Sequence, residues 1–105
     1  MMIQFDVFQN PITRARTAYP LVVVLQSDAT SSRRNVIVAP LVPSTALAKV
    51  AGRLTPIVSI DGQKWVVLVP SLAGVRGPDL GKFTGSLAGA RDALLAAVDF
   101  LFFGV

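Results

Sequence analysis

The stretch Ile57-Val58-Ser59-Ile60-Asp61-Gly62-Gln63-Lys64-Trp65-Val66-Val67-Leu68-Val69 decides the fold class. Two β-rich runs flank an Asp-Gly pair, which tolerates the positive φ angles of a two-residue type I′ turn. A hairpin is expected, with strands over 57–60 and 63–69. Trp65 alternates with Val67 and Val69 along the second strand, so its ring is assigned to core packing rather than to a ligand.

Upstream, Leu21-Val22-Val23-Val24-Leu25 is a continuous aliphatic run, as expected of a strand buried on both faces. Alternation over 3–8 predicts a first strand, with Ile3, Phe5 and Val7 on one face and Gln4 and Asp6 on the other. Asn10-Pro11 breaks it, and Arg14 and Arg16 come next in a basic loop. Residues 27–35 are polar throughout and predict a surface loop. Val36-Ile37-Val38 resumes the β pattern, while Pro40 and Pro43 confine the adjoining residues to an edge or an exit, because proline has no N–H for a ladder. A short helical turn is expected over 46–53, and the Gly/Pro-rich segment 71–81 reads as irregular. Five or so strands result.

Beyond Ser86, a capping residue, the period becomes helical. Leu87, Ala90, Leu94, Val98, Leu101 and Phe102 form one stripe, and Asp92, Ala96, Asp99 and Phe103 project from the opposite side with Phe100 beside them. A solvated face does not ordinarily end in phenylalanines. Two explanations fit Phe103: packing within the fold or a dimer seam, or direct recognition of a partner.

The chain has 105 residues, room for one domain spanning 1–105, of which 52% are hydrophobic and 15% charged. That balance excludes intrinsic disorder and calls for a large core or for apolar surface covered by another molecule. Ten basic residues oppose six acids, all Asp, for a net charge of +4, which suits an acidic protein partner, a weak nucleic-acid surface or ordinary solvation and by itself distinguishes none of them. With no Cys there are no disulfides, a state compatible with the reducing cytoplasm. The start, Met1-Met2-Ile3-Gln4-Phe5-Asp6, lacks the basic and apolar runs of a signal peptide. The late apolar stretch 93–105 is interrupted by Asp99 and falls short of the ~20 residues that span a bilayer. A cytoplasmic protein that makes no use of a membrane is expected.

Neither His nor Cys occurs, which removes Ser/His/Asp and Cys/His catalysis and His- or Cys-based metal sites. Asp92 and Asp99, two turns apart, read as a solvated helix face rather than a paired acid and base. Gly74, Gly77 and Gly81 match neither the Walker nor the dinucleotide spacing and read as a plain loop. Arg33-Arg34 beside Ser31-Ser32 can hold a phosphate, yet no aromatic residue lies nearby for base stacking. A solvated loop is the simpler assignment. No cofactor, metal site or direct nucleic-acid contact is expected.

Gln26-Ser27-Asp28, then Arg33-Arg34, then Val36-Ile37-Val38 with Pro40-Leu41 resembles the centre of the CcdB toxin family. Gln4-Phe5 with Val7 is similar to that family's first strand, and Leu54-Thr55-Pro56-Ile57-Val58 through Ile60 and Trp65 to its central hairpin. The chain also closes on an aromatic residue, Gly104 and an aliphatic terminus. The likeness covers nearly the whole length. It implies a mainly β fold, an SH3-like barrel of about five to seven strands with a C-terminal helix. It further implies a homodimeric, non-enzymatic toxin of a toxin–antitoxin pair, which poisons the DNA gyrase A subunit and is neutralised by an antitoxin with a flexible acidic tail.

The resemblance carries target contacts onto Asp99, Phe103, Gly104 and Val105, with Ala29 and Thr30 assisting, and antitoxin contacts onto Arg14 and Arg16. Only Gly104 is identical to the family residue. The others replace an Asn, a Trp, an Ile and two further Ile, so a carboxylate stands in for an amide, the indole donor is lost and aliphatic area at 29–30 shrinks. The loop over 10–18 is longer than in the plasmid toxin. Two alternatives accompany the gyrase poison: a non-toxic or retargeted antitoxin-binding member, and a messenger-RNA endoribonuclease on the same barrel using Thr30, Arg33 and Arg34.

Overall fold

The computed structural model describes residues 3–30, 34–46 and 52–104. Its elements are strands β1 (Asp6–Gln9), β2 (Leu21–Val24), β3 (Val36–Pro43), β4 (Ile57–Ile60), β5 (Gln63–Val67), β6 (Ala73–Val75) and β7 (Phe83–Ser86), followed by helix α1 (Arg91–Phe103). The strands form one antiparallel sheet in the order β4-β5-β3-β2-β1-β7, with β6 paired to β3. The sheet curls into a half-barrel, and its far strands approach where a methyl of Ile60 comes within 3.7 Å of a Cβ built on Gly85. The expected mainly β barrel-type fold with a C-terminal helix is the observed one.

Asp61 and Gly62 both take positive φ, +50° and +80°, as a type I′ turn requires, and β4 pairs with β5 in the register Ile60↔Gln63 to Ile57↔Val66. Trp65 packs against the main core, as assigned. The second strand of the hairpin is shorter than predicted, because a 3-10 turn containing Pro70 takes over at Val69–Ser71.

Every residue of β2 is buried, and its two faces feed two different cores. Leu21 and Val23 join Phe5, Val7, Leu41, Val67, Leu94 and Ala97 beneath the helix. Val22 and Val24 join Val36 and Val38 on the other face, with Phe8, Val75 and Leu80 around them. The helix and this smaller cluster therefore lie on opposite sides of the β2–β3 layer.

Contrary to expectation, β3 runs through both prolines. Leu25 N–H donates to Ile37 O on the β2 side, and the two-residue alternation of a strand turns Pro40 away from β2. There its carbonyl accepts from Leu68 N–H at 2.9 Å, at the point where β3 changes partner from β6 to β5. By the same alternation the nitrogen of Pro43 faces β2's side of the strand, beyond the end of β2 at Leu21. Neither proline removes a ladder bond, so neither ends the strand.

Three further expectations differ from the structure. The first strand starts at Asp6 rather than Ile3, because residues 3–6 form a tight turn with Asp6 N–H on Ile3 O and Phe5 at φ +71°, and Asp6 is buried. The segment 71–81 and its sequel hold β6 and lead into β7, making seven strands. Ser86 ends β7, and its Oγ accepts from Ala88 N–H, so it serves the 3-10 turn Ala88–Ala90 and not α1. Gly81 must lack a side chain: a Cβ there would stand 2.6 Å from that of Gln9. The helical turn expected over 46–53 falls largely on residues 47–51, outside those described. Among the described residues no helix is long and apolar enough to cross a membrane.

Candidate functional site

Helix α1 seats one side in the core through Leu94 and Ala97, flanked by Leu95, Val98 and Leu101. Phe102, assigned to that inner stripe, is instead 61% exposed, and Phe103 is 75% exposed. The stripe follows the helical period, but no described element covers it at residue 102. Gly104 closes the helix at φ +73°, donating its N–H to Phe100 O at 3.0 Å. Val105 lies outside the described residues.

The outer face carries Asp92, Ala96 and Asp99, all exposed. Phe100 beside them is half-buried, with the guanidinium carbon of Arg53 4.1 Å from its ring centroid. The sequence alone does not single out Arg53, since it lies 47 positions before its ring. Asp99, Phe102, Phe103 and Gly104 thus share one helix end that is convex, aromatic and open to solvent.

Ala29 and Thr30 are exposed in a compact turn. Thr30 N–H and Oγ1–H both donate to Ser27 O, and Ala29 N–H donates to Ser27 Oγ. Gln26 braces it, donating from Nε2 to Thr30 O and accepting from Ile37 N–H. Gln4 N–H donates to Asp28 Oδ1 at 2.7 Å, and Gln4 Oε1 accepts from Arg91. The loop is thereby tied to the first residue of α1, while Phe103 ends the helix at the other extreme, about 18 Å away at 1.5 Å per residue. The two groups of candidate target residues sit at opposite ends of α1.

On the other face of the sheet, the basic loop is ordered by a buried Asn10, which the sequence marked only as a strand breaker. Its Nδ2 donates to Tyr19 O and its Oδ1 accepts from Ile12 N–H, both at 2.9 Å, so one amide staples both ends of the loop. Arg16 Nε donates to Asn10 O at 2.6 Å. Arg16 therefore helps hold the loop, whereas Arg14 is exposed. Beneath the loop lies a groove of about 290 Å³ floored by Val22, Val38 and Pro40.

Arg34 is exposed and Arg33 lies outside the described residues. Among the described residues no cluster of three or more acids could hold a metal ion. A search of curated proteins finds no match. The family model described as CcdB protein matches residues 4–104, and at that coverage the chain belongs to the CcdB family.

Proposed function

We propose that this protein is the toxin of a toxin–antitoxin pair that acts by binding, as a homodimer whose C-terminal tails engage the DNA gyrase A subunit. Family membership supports the toxin class. One observation carries the rest: Phe103 is 75% exposed at the end of a helix whose other side packs on the core through Leu94 and Ala97. A buried phenylalanine gains roughly 1.5–3 kcal/mol over an exposed one, so an exposed aromatic tail is retained for a surface that will cover it. Asp99, Phe103, Gly104 and Val105 are assigned to the target, with Ala29 and Thr30 as a secondary patch. Arg14 and Arg16 are assigned to the antitoxin's acidic tail.

Expression without an antitoxin should arrest growth and raise the level of DNA cleavage complexes. Removing Phe103, Gly104 and Val105 should abolish both effects with the fold intact. Arrest that survives the truncation would contradict the assignment.

A second reading, a retargeted or non-toxic member that still binds its antitoxin, draws on Asp99. Its exposed carboxylate can only accept hydrogen bonds where the family amide also donates. That reading expects tight association with a small acidic neighbour and no growth effect.

A further inference from the structure

Arg53 reaches the C-terminal half of α1 from the turn that precedes β4. That turn is closed by Thr55 N–H, which donates to Gly52 O at 3.1 Å, and the chain just beyond it is fixed to β5, where Val67 N–H donates to Pro56 O at 2.9 Å. The side chain is therefore held at its base by the turn. It is held at its tip by the Phe100 ring, whose centroid lies 4.1 Å from the guanidinium carbon.

A ring contact engages the π system of a guanidinium and consumes none of its five N–H donors. Arg53 is exposed, and among the described residues no hydrogen bond or ion pair takes up those donors. Phe100 and Phe103 are three residues apart on α1, which makes them neighbours on its surface, with Cβ atoms about 5–6 Å apart. The donors thus open onto the same helix end as the exposed Phe103 ring. Asp99, next to Phe100 and also exposed, offers acceptors alone.

We infer that Arg53 is a specificity-determining residue of this helix end, taking a carboxylate of the gyrase A subunit on its guanidinium while that subunit covers Phe103. The inference rests on the reading of the helix end as the target site and deepens it by naming the chemistry required opposite: an acidic side chain beside an apolar hollow. An arginine free in solvent loses rotamer freedom when it binds. One already held at base and tip loses less, so its fork is set for bidentate contact with a carboxylate. A phosphate backbone could use the same donors, but its successive charges would also meet Asp92 and Asp99, both exposed on the outer face of α1. A single carboxylate avoids that repulsion.

The test titrates the purified gyrase A subunit with the full-length protein and with Arg53→Gln, Arg53→Lys and Arg53→Glu, under conditions where all four are folded. Arg53→Gln should bind roughly five- to tenfold more weakly than wild type and with a flatter salt dependence, and Arg53→Glu roughly a hundredfold more weakly. Arg53→Lys, which keeps the charge and loses the fork, should fall between wild type and Arg53→Gln. Equal affinity of Arg53→Gln and wild type overturns the assignment and leaves the gyrase reading standing. Equal losses in all three variants with unchanged salt dependence would reduce Arg53 to pinning the turn, and overturn it too. A loss seen with the gyrase–DNA complex but not with the isolated A subunit would give the donors to phosphate and overturn the carboxylate assignment. Absence of saturable binding by wild type overturns the gyrase reading itself.

Discussion

Two open apolar surfaces of this molecule differ in shape. The end of α1 is convex, with Phe102 and Phe103 projecting and Asp99 beside them, whereas the groove across β6, β3 and β2 is concave and lined mainly by apolar side chains such as Ile12, Val22, Val38 and Val75. A convex aromatic end can enter a partner, and a concave apolar groove can receive one. Because they occupy opposite faces of one layer, built on separate clusters of buried residues, one protein can carry two recognitions without sharing side chains.

The largest expected effect lies within the helix, between its buried side and its exposed end. Leu94 is fully buried, so Leu94→Ala should cost about 3 kcal/mol, read as a fall in denaturant midpoint with unchanged slope. Phe103→Ala should move stability by less than about 0.5 kcal/mol. Equal losses would mean that Phe103 is part of the fold. On the groove side, Asn10→Ala should cost about 2 kcal/mol, because it leaves Ile12 N–H and Tyr19 C=O without their side-chain partners. Loop amides over 10–19 should also exchange faster with solvent, while those of α1 keep their protection. The smallest effect concerns Arg53. Arg53→Gln should cost about 0.5–1 kcal/mol through loss of the contact with Phe100, and a change below detection would reduce that contact to incidental proximity.

The hairpin and the two-faced β2 are legible in the sequence because they depend on local chemistry: an Asp-Gly turn, and a valine run with no polar residue to turn toward water. The inner side of α1 is legible for the same reason, through its period, up to Leu101. Phe102 falls outside the pattern because periodicity tells which way a residue points and not whether another element covers it there. Pro40 and Pro43 mislead because a proline's cost depends on the direction of its missing donor, which register alone fixes. Strands β6 and β7 carry Gly74 and Gly85 and are held by pairing rather than propensity, so composition conceals them.

Of the candidate site, the aromatic tail can be anticipated as soon as phenylalanines appear on a face otherwise carrying aspartates. The groove cannot. Its walls come from residues some 60 positions apart, Ile12 and Val75, and its loop is held by a single buried amide that in sequence looks like any Asn-Pro turn. That Arg16 is tied to the loop while Arg14 stands exposed likewise depends on one hydrogen bond to Asn10 O.

Whether the exposed end of α1 is a recognition element is tested most directly by titrating the purified gyrase A subunit with wild-type protein and with Phe103→Ala at matched stability. Saturable binding by the wild type is expected, with at least a tenfold loss for the variant. Equal affinity for the two proteins would contradict a recognition role for the helix end.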